Sequence, residues 1–378
     1  MRQKRLLIDV NSITSYIRDG VLTGIGRTTY ELLNQWDKLY NELPFEIILY
    51  SLNTKGLSNK GLFRFKTLHF FWPNRIGYKQ LLYSLRIRKF VSRYNIIHVP
   101  HNVDVLEDVS NTILTIHDVM SYRFSNEWNS SYWGMSEEEK RRLEYAAKQC
   151  KAIVTCSECS KLDIVRYLNV PEDKVTVIPW GISREIFQPM CDEDYLHHIG
   201  IHGLYYFTSS ANHPRKNLSL LLKSYRTYLA MGGKGQLVVL NPEEEHLAAV
   251  ADLISEGKII VMRKISDIEL AVLYTNAQCS LMLSSYEGFG LPVLESLACG
   301  TQVICARNSS LTEAGGEVVD YIGEMKEDVI ASKMLGYDYF IKEDILSSDT
   351  LELHLRKFSW EVCANQYLEF YKIQLGIK

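Results

Sequence analysis

The chain has 378 residues, of which 46% are hydrophobic and 23% are charged, and its formal net charge is −3 at pH 7. This length favours two domains over a single core, and the slightly acidic balance gives no reason to expect nucleic-acid binding. No apolar run approaches the length of a membrane span, and Leu6-Leu7-Ile8 is too short for the apolar core of a signal peptide. A cytoplasmic location is therefore expected.

Short apolar runs alternate with helical patterns through the first half of the chain. Predicted strands cover residues 4–10, 45–52, 96–101, 111–116, 152–156 and 175–179. A charged amphipathic helix is predicted over 137–150. Strands that alternate with helices in this way indicate a parallel, doubly wound sheet.

A glycine pair follows the first strand after a polar stretch. Gly24-Ile25-Gly26 stands before a predicted helix that begins near Arg27. A dinucleotide-binding fingerprint would have a third glycine at Thr29 and would place the glycines directly after the strand. The sequence meets neither condition, which excludes a Rossmann dehydrogenase. A glycine-rich loop before a helix N-terminus can bind phosphate, and a plain turn is the alternative.

Residues 55–93 contain ten basic residues, interleaved with aromatic ones, and no Asp or Glu. Nucleic-acid binding is one interpretation, although nothing else in the chain supports it. An amphipathic face on anionic lipid is another, and it would suit a lipid-linked acceptor. A helix that packs its aromatic residues inward and leaves its charges solvated is the third.

His117 and Asp118 directly follow the predicted strand over 111–116. Open α/β sheets bind their ligands at the carboxyl ends of the strands, so both side chains are candidates for a binding site. A core histidine is the alternative. Further along, Cys156-Ser157-Glu158-Cys159 has the spacing of a redox or zinc motif, but no second ligand pair is apparent. Ser157 is a plausible N-cap for a helix over 161–168, which favours a structural role. The eight cysteines are expected to be free thiols.

Residues 188–198 are polar and are predicted to form an irregular linker between the two domains. Asp192-Glu193-Asp194 within it matches the D-x-D motif that binds metal in some nucleotide-dependent enzymes. Such a motif should follow a strand inside a nucleotide-binding domain. We therefore interpret this match as chance and predict no metal site.

The second half of the chain repeats the alternation. Predicted strands cover residues 204–209, 236–240, 258–262, 279–283 and 301–306. Ser266 and Glu269 form a capping-box pattern for a helix that ends near residue 277. Residues 309–313 are predicted to form a turn, and a last helix is predicted to begin at 358.

Arg215 and Lys216 stand just before a predicted helix. Two adjacent cations at a helix N-terminus suit a diphosphate, because arginine offers a planar fork of donors and lysine a compact charge. Two exposed surface cations are the alternative.

Residues 286–295, Tyr-Glu-Gly-Phe-Gly-Leu-Pro-Val-Leu-Glu, link the strand over 279–283 to a helix. Gly288 and Gly290 allow the backbone to approach a ligand, and the N–H groups at the helix start can bind an anion. Glu287 lies in the loop. Glu295 lies about one turn into the helix, where a carboxylate can accept hydrogen bonds from ribose hydroxyls. Two solvated glutamates are the alternative.

The string E-G-F-G-L-P-x-x-E from Glu287 to Glu295 resembles the donor-site motif of the retaining GT-B glycosyltransferases of family 4, or group 1, including mannosyltransferases. The glycine pair, His117-Asp118, Arg215-Lys216 and the terminal helix follow in the order of that family. The resemblance implies an α/β GT-B fold of two doubly wound Rossmann-like domains that face each other across a cleft. It implies an acceptor-binding domain at 1–190, a nucleotide-sugar-binding domain at 191–357, and a helix at 358–378 that crosses back to the first domain.

The same resemblance assigns roles to individual residues. It implies catalytic roles for His117, Asp118, Lys216 and Glu287. It implies donor contacts from Gly24, Gly26, Arg27, Arg215, Lys216, Gly288, Phe289, Gly290, Leu291 and Glu295. Many members carry an arginine six residues before the lysine, where this chain has Ser210, and either Arg27 or Arg215 could replace it.

The resemblance further implies transfer of a hexose, a mannose-like sugar, from a GDP- or UDP-sugar with retention of configuration. The implied acceptor is a glycan or a lipid-linked glycan in cell-surface polysaccharide synthesis. No cofactor or metal is expected. The enzyme is expected in the cytoplasm or on the inner face of the plasma membrane, with residues 55–93 as the membrane contact. A nucleotide-sugar epimerase or hydrolase on the same fold and a non-catalytic nucleotide-sugar-binding protein are the rival functions.

Overall fold

The structure is a computed structural model, and it describes residues 3–13, 24–51, 62–69, 93–102, 109–124, 135–209, 213–339 and 349–377. The chain divides into two compact units. Unit 1 comprises Met1–Gly181 and Trp360–Lys378, and unit 2 comprises Ile182–Ser359. Among the helices of the described ranges, none combines the length and the apolar character needed to cross a membrane.

Unit 1 is built on a seven-stranded sheet in the order β3-β2-β1-β4-β5-β6-β7. Its strands are β1 Arg5–Asp9, β2 Glu46–Ser51, β3 Lys66–His69, β4 Ile96–Val99, β5 Thr112–Thr115, β6 Ala152–Thr155 and β7 Val175–Val177. All neighbouring strands pair in parallel. Leu6, Leu7 and Ile8 of β1 are all buried, as expected for a central parallel strand covered on both faces.

The helices of unit 1 include the last helix of the chain. They are α1 Gly24–Lys38, α2 Met120–Arg123, α3 Glu137–Gln149, α4 Glu158–Leu168 and α14 Trp360–Leu375. Helix α14 packs on α1, where the indole Nε1 of Trp36 donates to the carbonyl of Ala364 over 3.1 Å. The Trp36 ring also lies edge-on to Tyr367 and Tyr371. The C-terminal helix is therefore part of the core of unit 1.

Two predictions for unit 1 need correction. Helix α1 begins at Gly24 and not near Arg27, so both glycines lie within its first turn. The hydroxyls of Thr28 and Thr29 donate to carbonyls one turn earlier, which supports helical geometry from the first residue. Within the basic segment, residues 66–69 form the edge strand β3 and not a helix. Residues 55–61 and 70–92 of that segment lie outside the described residues.

The cap that was predicted at Ser157 is confirmed. Its side chain accepts a hydrogen bond from the backbone N–H of Ser160 at the start of α4. Cys156 is buried, and its thiol donates to the carbonyl of His117. All eight cysteines lie in the described ranges, and none of them forms a disulfide. Within the motif at 156–159, Ser157 therefore has the capping role that the sequence predicted.

A buried histidine links the sheet of unit 1 to the C-terminal helix. His98 in β4 pairs through Nε2 with the hydroxyl of Thr115 at 2.8 Å and through Nδ1 with the hydroxyl of Tyr371 at 2.7 Å. Burial lowers the pKa of His98 from 6.5 to about 3. The imidazole is therefore neutral in the folded protein at neutral pH.

Acid is expected to destabilise unit 1 through this group. Below pH 6.5 the unfolded chain binds a proton at His98 that the folded chain does not, so the free energy of unfolding falls as the pH decreases towards 3. One such group contributes a slope of about 1.4 kcal/mol per pH unit. Urea unfolding, followed by tryptophan fluorescence at several pH values, measures the slope. His98→Asn should reduce it, and an unchanged slope in that variant would contradict the assignment.

Unit 2 is built on a six-stranded parallel sheet in the order β10-β9-β8-β11-β12-β13. Its strands are β8 Tyr205–Thr208, β9 Gln236–Leu240, β10 Ile259–Met262, β11 Cys279–Met282, β12 Val303–Ala306 and β13 Asp320–Ile322. Its helices are α5 Glu193–His198, α6 Leu218–Ala230, α7 Glu244–Ala248, α8 Ala251–Ser255, α9 Asp267–Asn276, α10 Leu291–Ala298, α11 Leu311–Gly315, α12 Glu327–Tyr337 and α13 Asp349–Arg356. The capping box of Ser266 and Glu269 at α9 is confirmed.

Two segments of unit 2 that were predicted to be irregular are helical. Helix α5 lies within the segment that was predicted to be a linker. The side chain of Asp192 caps the helix by accepting a hydrogen bond from the N–H of Tyr195. Leu196 of the same helix is buried. The acidic triplet that resembles a metal motif is thus the cap and first turn of a helix, where negative charge is favourable. Helix α11 begins within the stretch that was predicted to be a turn, and its Leu311 is buried.

Candidate active site

The loop between β11 and α10 has the geometry that the sequence predicts. Gly290 precedes the helix with φ +107°, and Pro292 lies in the first helical turn. A Cβ atom at Gly290 would approach the Cβ of Ala314 to 3.0 Å. Glycine is therefore required here both by backbone conformation and by the closeness of the neighbouring helix.

Glu287 in this loop is buried, and its carboxylate receives donors on both oxygens. Lys216 Nζ lies 2.6 Å from Oε1, and Arg215 Nη1 contacts Oε2. The hydroxyl of Ser284 also donates to Oε1, over 2.7 Å. The structure thus brings Glu287 together with Arg215 and Lys216, which lie about 70 positions earlier in the chain.

The charges of this cluster perturb one another. Burial opposes ionisation of Glu287, but the neighbouring charges of Lys216 and Arg215 outweigh it and lower the pKa of Glu287 to about 2. Burial lowers the pKa of Lys216 from its ordinary value, and the negative charge of Glu287 acts against that change. Glu287 is therefore ionised at neutral pH and neutralises part of a buried positive charge.

A short turn places the two cations. Pro214–Lys216 form one turn of 3₁₀ helix, and Asn217 follows in the left-handed conformation before α6 begins. The side-chain amide of Asn217 donates to the carbonyl of Leu283 over 2.7 Å, and the N–H of Ser285 donates to the carbonyl of Arg215 over 2.7 Å. The cation turn is thereby hydrogen-bonded to the loop that carries Glu287, so it is not a pair of independent surface charges.

Glu295 is buried on α10, so the interpretation as a solvated surface glutamate is wrong. The hydroxyl of Tyr274 donates to its Oε2 over 3.3 Å and also lies 3.3 Å from the hydroxyl of Ser209. Phe289 is buried too, with its ring edge-on to Phe358. A ligand at this loop would thus meet the backbone of Phe289 and not its ring.

His117 and Asp118 lie together in unit 1, directly after β5. His117 is buried, and its Nε2 donates to the carbonyl of Pro100 over 3.1 Å. Its Nδ1 has no hydrogen-bond partner among the residues that the structure describes. Burial lowers the pKa of His117 to about 4. The ring is therefore neutral at pH 7 and presents an acceptor at Nδ1.

The carboxylate of Asp118 has a local partner. Its Oδ1 accepts from the N–H of Met120 at the start of α2 over 3.0 Å. Gly24, Gly26 and Arg27 also belong to unit 1, in the first turn of α1, whereas the Glu287 cluster belongs to unit 2. Ser210 lies outside the described residues.

Sequence reasoning missed Ser284, Asn308 and Tyr274, which lie around Glu287 and Glu295. Ser309 and Ser310 belong to the stretch 309–313 that was predicted as a turn, but their contacts with Glu287 were not predicted. Position relative to the strands could have found Ser284 and Asn308, because they follow the carboxyl ends of β11 and β12, where open sheets place their ligands. Tyr274 is internal to a helix and gives no such signal.

Potential metal ligands converge at one place in the described part of the chain. Glu243, Glu245 and His246 lie close together at the start of α7. None of these residues was predicted to form part of the site, and none contacts the Glu287 cluster through a described hydrogen bond or ion pair.

Two family models match the chain. Residues 22–186 match Glycosyltransferase Family 4, and residues 203–322 match Glycosyl transferases group 1. The second match includes the cation turn, Glu287 and Glu295. Between them the two matches span most of the chain.

Individual relatives are similar in sequence to this chain, and a solved structure shares its fold. A protein named as a probable sucrose-phosphate synthase of Thermosipho melanesiensis is 30% identical over 63% of this chain and 60% of its own length. O-antigen chain mannosyltransferase B of Escherichia coli is 27% identical over 62% of this chain and 64% of its own length. The chain thus spans less than two thirds of either relative. The Anabaena HepE structure in complex with UDP and glucose shares the fold, with a TM-score of 0.72 over 98% of this chain and 100% of that one at 12% identity. The predicted α/β fold of two Rossmann-like domains is confirmed.

Proposed function

This chain belongs to the family 4 and group 1 glycosyltransferases, and we propose that it transfers a hexose from a nucleoside diphosphate sugar to an acceptor hydroxyl with retention of configuration. The observation that carries the proposal is the cluster of Arg215, Lys216 and Glu287. It sets two cations and a carboxylate beside a glycine-containing loop and a helix N-terminus. That combination suits a sugar joined to a diphosphate.

The leaving group accounts for the cations. As the bond from the sugar C1 to the diphosphate oxygen breaks, negative charge grows on the diphosphate and positive charge on the ring. Lys216, Arg215 and the N–H groups at the start of α10 would stabilise the departing charge from fixed positions. The acceptor oxygen forms the new bond to C1, and its proton passes to the departing diphosphate.

The remaining predicted residues would hold the other parts of the donor. Glu287 would orient the sugar hydroxyls and offset charge on the ring. Glu295, already fixed by Tyr274, would accept from the ribose hydroxyls. His117 would accept from a sugar hydroxyl at Nδ1, since its neutral ring holds the proton on Nε2. Gly24, Gly26 and Arg27 would contact the donor phosphates from the first turn of α1.

The names of three similar proteins support the proposed substrate class. One relative is named as a mannosyltransferase of the O-antigen chain, and another as a probable sucrose-phosphate synthase. HepE was solved with UDP and glucose. We therefore propose a mannose-like hexose carried on GDP or UDP and a glycan or lipid-linked glycan acceptor in cell-surface polysaccharide synthesis.

A thermal-shift screen against GDP, UDP and their sugar derivatives is expected to identify one base. A ligand at about a hundred times its Kd stabilises the folded protein by about 2.7 kcal/mol, which is a readily measured shift. The donor that is found is then incubated with and without a glycan acceptor, and NMR of the product reports its anomeric configuration. Release of sugar without acceptor would indicate a hydrolase, and conversion of the donor itself would indicate an epimerase.

The same assay includes a chelator arm. Because Lys216 and Arg215 lie where the leaving charge develops, transfer is expected to continue in EDTA. Complete loss of transfer that Mn²⁺ restores would contradict this part of the proposal. Nucleotide binding without turnover would indicate a non-catalytic binding protein.

A further inference from the structure

Three serine hydroxyls contact three different groups of Glu287. Ser284 donates to the carboxylate Oε1 over 2.7 Å. Ser309 accepts from the backbone N–H over 3.0 Å. Ser310 donates to the backbone carbonyl over 2.8 Å. Both the main chain and the side chain of Glu287 are thus held by neutral donors and acceptors, in addition to the two cations.

These contacts belong to a closed hydrogen-bonded ring that also includes Asn308. A hydroxyl carries a single proton, and that of Ser309 is donated to Asn308 Oδ1 over 3.0 Å, so its lone pair is left for the Glu287 N–H. Asn308 Nδ2 in turn donates to the carbonyl of Ser284 over 2.9 Å. The ring joins the loop after β11 to the loop after β12, which are adjacent parallel strands.

Burial and backbone conformation show that this arrangement is built into the fold. Ser284 and Ser310 are buried, so their hydroxyls would lose hydrogen-bonding capacity if the contacts broke. Ser309 has φ +43°, a left-handed conformation that serine adopts only at an energetic cost. The surrounding contacts hold it there, and the conformation directs its hydroxyl towards Glu287.

We propose that Ser284, Ser309 and Ser310 are positioning residues that fix Glu287 for the transfer step. This inference rests on the proposed function, because it takes Glu287 as the group that faces the sugar. The serines contact Glu287 and not the groups assigned to the nucleotide. Their loss should therefore affect turnover more than nucleotide binding.

The test compares Ser284→Ala, Ser309→Ala and Ser310→Ala with the unmodified full-length chain. Each variant loses one hydrogen bond to Glu287 and is therefore expected to lower kcat roughly tenfold. Its Kd for the nucleoside diphosphate should stay within about twofold of that of the unmodified chain. Ser284→Thr keeps the hydroxyl and should recover most of the lost kcat. Ser296→Ala is the matched control, because Ser296 is buried in the same unit and donates to Ser280 over 2.7 Å, away from Glu287.

A second readout does not depend on activity. Hydrogen–deuterium exchange of the peptide that contains Glu287 should accelerate in Ser309→Ala and Ser310→Ala, because the loop loses an acceptor or a donor, and it should not change in Ser296→Ala. Unchanged exchange in both serine variants would overturn the inference whatever the activity. A kcat loss as large in Ser296→Ala, or a parallel loss of nucleotide affinity in the serine variants, would also overturn it. If the serine variants exchange faster but the unmodified protein transfers no sugar, the proposed function is overturned, and the positioning role of the serines in transfer falls with it.

Discussion

Lys216→Ala is expected to lower turnover roughly 100- to 1,000-fold, the usual effect of removing one donor that stabilises a developing negative charge. The ammonium of Lys216 is held 2.6 Å from Glu287 in a buried cluster, where charge is screened less than at the surface. The fold should persist, because Arg215 and Ser284 still donate to the carboxylate. Steady-state kinetics and thermal unfolding of the variant measure the two effects separately.

Lys223→Ala is the matched control for this change. Lys223 is exposed on α6, the helix that follows the cation turn. Its substitution by alanine removes the same charge from the same unit. It should leave turnover and nucleotide affinity unchanged. Turnover within a few-fold of normal in Lys216→Ala would remove Lys216 from the leaving-group site. A loss of similar size in Lys223→Ala would indicate a general effect of net charge.

The local backbone geometry of the site could be predicted from the sequence. The buried strand, the two glycines, Pro292 and the spacing from Glu287 to Glu295 are all set within a few residues, so their geometry follows from short-range rules. The Arg215-Lys216 turn could be located in the same way. In each case the chain around the residue determines its conformation.

The contacts within the site could not be predicted in that way. That Lys216 pairs with Glu287 depends on how β8 and β11 lie beside each other in the sheet, and no local pattern encodes this. The position of Ser309 under the Glu287 N–H likewise depends on the pairing of β11 with β12. Tertiary pairing also explains why residues 66–69 form a strand within a basic, aromatic segment, since β3 completes the edge of the sheet beside β2.

The pairing of Glu287 with the two cations has a consequence for the order of events at the site. In the structure the carboxylate of Glu287 supplies the counter-charge that the buried cations require. A diphosphate that binds Lys216 and Arg215 must share them with this carboxylate or displace it. Because the serine ring holds Glu287 in place, we expect the long cation side chains to shift towards the phosphates while the carboxylate stays with Ser284.

Glu287→Gln is therefore expected to separate binding from turnover. Glutamine keeps the size of the side chain and an acceptor for Ser284, but it removes the negative charge that competes with the diphosphate. A unit charge at 4 Å changes the interaction energy by about 4 kcal/mol at an effective dielectric constant of about 20, so even partial relief should tighten nucleoside diphosphate binding roughly tenfold. Turnover should fall roughly 100-fold, because the variant lacks the negative charge that offsets the positive charge developing on the sugar ring.

Isothermal titration of the nucleoside diphosphate at two salt concentrations, together with steady-state kinetics, tests this separation. Glu317→Gln is the control, since Glu317 is an exposed carboxylate of the same unit. It should change neither quantity. Because the competition is electrostatic, the gain in affinity of Glu287→Gln should shrink as salt is raised. Weaker nucleotide binding in Glu287→Gln would contradict the expectation that the carboxylate competes with the phosphates. It would mean instead that the carboxylate supports the donor site by holding Arg215 and Lys216 in place.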